Sequence, residues 1–162
     1  MPITDMPRPF TLRPATPDDL PVVRALLQSA GLAPNALDAQ FGPQFVVALD
    51  AGTQRVVGAE GVEVYRDTSG DVGLLRSAVV DAAWRGAGIG AALTEDRLSW
   101  AETERLAAVY LLTETAAEYW PRFGFARTAR DGAPSALQAS HEWRQGCPAS
   151  AVAMHLSLPR TR

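Results

Sequence analysis

Six residues, Arg85-Gly86-Ala87-Gly88-Ile89-Gly90, carry the pattern R-x-x-G-x-G. They stand between an apolar run, Leu74–Val80, and a stretch with helical spacing. Glycine has no Cβ, so backbone can approach a ligand closely and positive φ costs little. A helix opening directly after such a loop aims unpaired N–H groups and its positive dipole end at one point. A phosphate or pyrophosphate suits that point, and Arg85 adds a permanent positive charge. The same residues admit other readings. Gly86-Ala87-Gly88-Ile89-Gly90-Ala91 also fits the G-x-G-x-x-A pattern of dinucleotide sites. There, however, the strand runs almost directly into the first glycine, whereas here Asp81–Arg85 intervene. A triphosphate loop needs Gly-Lys-Ser/Thr, and the chain has no lysine. A glycine turn without any ligand is the plainest alternative.

Other side chains could move protons or hold charge. Glu60 and Glu63 lie three apart in one extended run, so they face opposite sides. Either could serve as a base, or stand as a solvated strand carboxylate. Arg76 suits a two-point grip on a carboxylate and equally a surface ion pair; Ser77 follows it. His141 and His155 are far apart and lack ligand spacing, so no metal site is expected. Cys147 is the only cysteine, which excludes an intrachain disulfide and leaves a weak site for a soft metalloid.

The elements that position these residues can be read in order. Residues 1–9 hold three prolines and read as a flexible arm, and 159–162 as a tail. Phe10–Arg13 is a short strand. Thr16-Pro17-Asp18-Asp19 is a helix start, followed by Leu20, Val23, Leu26 and Leu27 at helical spacing. A second short helix covers Pro34–Gln40. Phe45–Asp50, Val56–Tyr65 and Val72–Val80 form an antiparallel meander leading into the glycine loop. The next helix spans about Gly90–Leu106, with Ile89, Leu93 and Trp100 on one stripe. Val109–Thr113 is apolar and reads as a central strand, parallel to the one before the helix. Thr115–Glu118 and Ser135–Gln138 read as capping boxes opening short helices. Phe125–Thr128 and Ala151–Leu158 are the last strands, the latter with Val152, Met154, Leu156 and Leu158 on one face.

The 162 residues suffice for one domain with a real core, 10–158, without repeats or linkers. A content of 47% hydrophobic and 20% charged residues is that of a soluble globular chain. Net charge is -3 and the basic residues, all arginine, are scattered, so no nucleic-acid partner is expected. No run spans a membrane, and the N-terminus lacks the apolar core of a signal peptide. These features favour the cytoplasm.

The run Val79-Val80-Asp81-Ala82-Ala83-Trp84-Arg85-Gly86-Ala87-Gly88-Ile89-Gly90-Ala91-Ala92-Leu93 resembles the acetyl-CoA motif of the GNAT N-acetyltransferase superfamily. Tyr119-Trp120-Pro121-Arg122-Phe123-Gly124-Phe125 resembles that family's later aromatic signature. Leu74-Leu75-Arg76-Ser77, Leu111-Leu112-Thr113 and Cys147–Met154 are similar to acetyltransferases associated with arsenic-resistance gene clusters.

The resemblance covers roughly Phe10 to Leu158 and implies an α/β GNAT fold. That fold is a central mixed, mostly antiparallel, splayed sheet with helices on both faces. It implies acetyl-CoA as cosubstrate, no metal, and a small amine as acceptor, amino-acid-like or a toxic analogue. An N-acetylglutamate synthase-like enzyme and a non-catalytic acyl-CoA sensor are the alternatives. Homodimers are common in the superfamily.

By the same resemblance, the backbone of Val79 and Val80 pairs with pantetheine. Gly86, Gly88 and Gly90, with the N–H groups of Ala87, Ile89 and Ala91 and the charge of Arg85, hold the pyrophosphate. Ala87 replaces an arginine found in many relatives, and Thr113 an asparagine that touches the pantetheine arm. Glu63 matches a glutamate of the arsenic-linked group and is the favoured base. Arg76 and Ser77 fall on the acceptor side. Trp120 aligns with the tyrosine that protonates the leaving thiolate, a task an indole cannot perform. Tyr119 is the substitute, or water.

Overall fold

Strand order follows from a meander that is broken once by a helix. The computed structural model describes residues 8–34, 36–146 and 149–161. Strands β1 (Phe10–Pro14), β2 (Phe45–Asp50), β3 (Val56–Tyr65) and β4 (Val72–Val80) pair antiparallel in sequence. Helix α2 (Ile89–Thr103) crosses over to β5 (Ala108–Thr113), which lies parallel to β4. Strand β7 (Val152–Ser157) pairs antiparallel with β5, and the two-residue β6 (Ala126–Arg127) closes the order β1-β2-β3-β4-β5-β7-β6. This is the mixed, mostly antiparallel sheet expected. Among the described residues no helix is long and apolar enough to cross a membrane.

Alternation along the strands builds a core on each face. On one face, α1 (Leu20–Ser29) sets Val23 and Leu27 on Phe45, Val47, Leu49 and Val79. Further along that face, α3 (Ser135–Gln138) sets Leu137 against Val72, Leu74 and Trp143. On the other face, Ile89 and Leu93 of α2 cover Val46, Ala48 and Val57, while Leu98 and Ala101 cover Val62, Leu75 and Val109. Gly61 lies opposite Phe45, and a Cβ there would meet the ring at 2.3 Å, so only glycine lets this aromatic lie across the strand.

Several elements depart from expectation. Where a second short helix was expected, at Pro34–Gln40, the described residues hold only a 3-10 turn, Leu37–Ala39. No helix opens at Thr115: the Thr113 hydroxyl accepts the Ala116 N–H at 3.0 Å, and Glu118 points out toward Arg127 at 3.7 Å. The helical turn there is Trp120–Phe123, started by Pro121. Helix α3 forms without a capping box, since the Gln138 amide donates to the carbonyls of Asp131 and Ala133 instead. The stripe of α2 is not purely apolar. Thr94 and Arg97 are buried on it, Arg97 donating to the carbonyls of Pro43 and Gln44. The ends are anchored as well. The Arg8 guanidinium stacks 3.6 Å from the centre of the Trp84 ring, and Arg160 pairs with Glu95 and Glu102 of α2, each at 2.7 Å. Arg8 and Pro9 are thus part of the folded body rather than a loose arm, and so is the start of the tail.

Candidate active site

Strands β4 and β5 are hydrogen-bonded only from Val72–Leu74 to Ala108–Tyr110. Beyond that point both continue, β5 held by β7 up to Thr113 and β4 held by β3 up to Val80. The sheet therefore opens into a cleft between two strands of its centre. A bulge helps to turn β4. Between the pairs Gly61–Arg76 and Ala59–Val79, β3 contributes one residue, Glu60, and β4 contributes two, Ser77 and Ala78. Ser77 takes φ +59°, a left-handed conformation that strains a non-glycine residue by about 1 kcal/mol. The Arg76 Nε–H donates to its hydroxyl at 3.0 Å.

Two cavities occupy the cleft. The larger, about 720 Å³, opens on the α1 face between the end of α1 and β4 and β5, with Arg76, Ser77, Thr113, Glu114 and Glu142 among its walls. The smaller, about 370 Å³, opens beside the glycine loop, with Glu60, Val79, Val80, Arg85, Gly90 and Tyr119 in its lining. Ala78, Ala116, Trp120, Ala30 and Leu32 border both. The two spaces adjoin along these shared walls, among which Ala78 is the β4 residue in the split.

The glycine loop has the form its sequence demands. Gly86 and Gly88 take φ +86° and +85°, and Gly88 is the N-cap of α2. The first N–H groups of the helix, from Ile89, Gly90 and Ala91, have no intrahelical acceptor and point toward the loop. An added Cβ at Gly86 or Gly88 would meet nothing within 4 Å, so open space surrounds the turn. The exposed Arg85 stands at its edge, and Ala87 packs on the α2 core instead of presenting a charge. A pyrophosphate fits these donors and this space.

The other predicted residues divide between the two sides. Arg76 is 8% exposed and lies on the acceptor side as expected, but its guanidinium is already shared by Glu63 and Glu142, each at 3.2 Å. Glu63 is 2% exposed, accepts the Tyr65 hydroxyl at 2.7 Å, and lines neither cavity. It stands behind Arg76, a poor place from which to take a proton from a bound amine. Its bond and charge, with burial first, hold the Tyr65 phenol well above its ordinary value. Trp120 is buried against Tyr119, Phe123 and Phe125. The Tyr119 hydroxyl lies 3.4 Å from where a Cβ of Gly90 would stand. Burial and the nearby Glu60 push the Tyr119 phenol up, against the Arg122 charge stacked on its ring. Cys147 lies outside the described residues, and among those described no group of three His, Cys, Asp or Glu could hold a metal ion.

Sequence reasoning named Glu60 beside Glu63 as a possible base but favoured Glu63. Glu60 is 1% exposed, on the α2 face, with one carboxyl oxygen taking the Thr94 hydroxyl at 2.9 Å. The signal was available in part: a carboxylate in a run otherwise apolar and glycine-rich, Val56–Val62, has no solvent to face.

Comparisons with known proteins identify the family and the fold. The family model of the acetyltransferase (GNAT) domain matches residues 42–127, more than half of the chain. The chain belongs to the GNAT acetyltransferase family. No curated protein sequence matches it. Solved structures share the fold. An N-acetylglutamate synthase from Neisseria gonorrhoeae, complexed with coenzyme A and N-acetyl-glutamate, superposes with TM-score 0.74 at 17% identity over 93% of this chain. This chain spans only 35% of that protein's length. Rv2747 from Mycobacterium tuberculosis, in complex with CoA, gives 0.73 at 22% identity, over 91% of this chain and 99% of its own. The N-acetyltransferase YhbS from Escherichia coli, in complex with CoA, gives 0.61 at 26% identity, over 76% and 72%.

Proposed function

We propose that this protein transfers the acetyl group of acetyl-CoA to the primary amine of a small, amino-acid-like molecule in the cytoplasm. The observation that supports this best is the pair of cavities that share walls along the split between β4 and β5, one beside the glycine loop and one on the α1 face. Acetyl transfer needs a held thioester and an amine brought to it in line, with charge stabilised at the carbonyl. A passage through the sheet lets the two reactants enter from different sides. The donors after Gly86, Gly88 and Gly90, with Arg85, would hold the pyrophosphate. The edge of β4 that β5 leaves free, at Val79 and Val80, would pair with the pantetheine amides and polarise the thioester carbonyl. Thr113 and Trp120 would flank the arm where it reaches the junction.

Arg76 and Ser77 would form the acceptor wall. An amino-acid carboxylate would reach Arg76 by displacing Glu142, while Glu63 keeps the guanidinium in place. Leu74-Leu75-Arg76-Ser77 and Leu111-Leu112-Thr113 support the narrower placement among arsenic-resistance-associated acetyltransferases. The acceptor would then be a toxic amino-acid analogue rather than L-glutamate. A non-catalytic acyl-CoA sensor is the second reading, favoured by Trp120 in the tyrosine's place.

The test is CoA release from acetyl-CoA across a panel of amines, including L-glutamate and phosphinothricin-like compounds, after binding is measured by thermal shift. Turnover with an amino-acid-like analogue is the expected result. Binding of acetyl-CoA without turnover of any amine would replace the enzyme with the sensor.

A further inference from the structure

Glu60 is the buried charge that this reading leaves unused. One carboxyl oxygen accepts from Thr94; the other, Oε2, is shielded from solvent and has no hydrogen-bond partner among the described residues. An orphaned buried polar atom of this kind is costly and calls for a partner. The side chain lines the cavity beside the glycine loop, with Val79, Val80, Gly90 and Tyr119. A ligand occupying that cavity would supply the missing contact.

We propose that Glu60 is the general acid that gives its proton to the departing thiolate during acetyl transfer. The proposal rests on the acetyl-transfer reading above. Three observations assign this role and not that of a base. The first is side. Glu60 faces α2 and the loop-side cavity, whereas the acceptor cavity opens on the α1 face. With the pantetheine arm placed as proposed above, a group there would lie on the thioester's side of the junction rather than the acceptor's. The second is protonation. Burial pushes the carboxyl up to about 8, against the bond from Thr94 and the Arg97 charge, with Asp96 adding to the rise. Those α2 groups, Tyr119 and Arg85 at the cavity's edge are the titratable or polar ones that face it; Ala78 and Val80 of β4 are apolar. Glu60 thus holds a proton at neutral pH, close in strength to a thiol at about 8.5. The third is the lack of a better donor. Trp120 has only an indole N–H, and the Tyr119 phenol is held above its ordinary value, making transfer from it uphill.

The step balances. The amine nitrogen forms a bond to the acetyl carbon and the C–S bond breaks. Glu60 passes its proton to the sulfur, leaving free thiol and a carboxylate. The proton shed by the amine goes to water, and water returns one to Glu60.

Two readouts test this on the full chain with Glu60→Gln and Glu60→Asp. In the free protein, infrared difference spectra across neutral to alkaline pH should show one protonated carboxyl titrating near 8 and absent from E60Q. In turnover, kcat of E60Q should fall about 100-fold with KM for acetyl-CoA within about twofold, and the descending alkaline limb should vanish. E60D should recover part of the rate and keep that limb. If E60Q does not fold, Thr94→Val substitutes, because loss of its hydroxyl should move the limb to higher pH. A carboxyl already ionised at neutral pH, an E60Q variant with unchanged kcat and limb, or an unmoved limb in T94V overturns the acid role. Wild-type protein without turnover on any amine overturns the acetyl-transfer reading and the acid role together. Wild-type turnover that E60Q shares overturns the acid role alone.

Discussion

A carboxyl buried beneath α2 binds its proton more tightly in the folded chain than in the unfolded one. For Glu60 the ordinary value of 4.5 rises to about 8, with burial as the main cause. Below 4.5 both states keep the proton, and no stability is lost. Between there and about 8 the unfolded chain ionises while the folded one does not. Stability then falls by about 1.4 kcal/mol for each pH unit, several kcal/mol in all, and levels off above 8. Denaturant unfolding of wild type and E60Q across that range should give a difference that slopes in favour of the variant as pH rises. Parallel curves would refute the burial argument. The unpartnered amide of the glutamine only offsets the variant's curve as a whole. Spacing placed Glu60 and Glu63 on opposite faces, and they are so placed. It could not say which face holds the cavity. That depends on Thr94, 34 residues from Glu60, and on Arg76 and Glu142 around Glu63.

At the scale of elements, the strands and α2 were legible because each carries its own signal: an apolar run, an alternation or a helical stripe. The short helices were not. A capping box is a hydrogen-bond pattern, and at Thr115 the competing bond to Thr113 and the turn set by Pro121 decide the geometry instead. The glycine loop joins a strand and a helix that were both readable, so its form followed. Gly88→Ala tests it cleanly. The added methyl meets nothing, so its effect comes from φ +85° alone. Strain of about 1–2 kcal/mol should shift the N–H groups at the start of α2. Calorimetric titration with CoA should show a loss of about tenfold in affinity for G88A. Arg85→Ala should cost several-fold, shrink as salt is raised, and leave thermal stability unchanged. Unaltered CoA affinity in both variants would remove the loop from the site.

At the scale of the whole molecule, the split between β4 and β5 joins two cavities that would otherwise be unrelated pockets on opposite faces. The order of strands could be read from the meander and the crossover. The split itself was implied only by resemblance, because where two parallel strands stop pairing depends on the bulge at Ser77 and on what fills the gap. Ala78 sits at the junction, half-buried and bordering both spaces. A leucine there would plug the passage while the pairing of β4 with β3 on its other side remains. Overpacking of this kind costs about 1–3 kcal/mol, which thermal unfolding of A78L should register as a modest loss. Turnover should fall by far more, about 100-fold or beyond, because reactants from the two faces could no longer meet. Binding separates the possibilities. Ala78 is not one of the glycine-loop residues, so adenosine 3′,5′-bisphosphate should bind A78L as it binds wild type, while acetyl-CoA, whose arm must enter the cleft, should bind less tightly. If A78L turns over amines at the wild-type rate, the two cavities are not one reaction path. The chemistry must then lie within a single one of them.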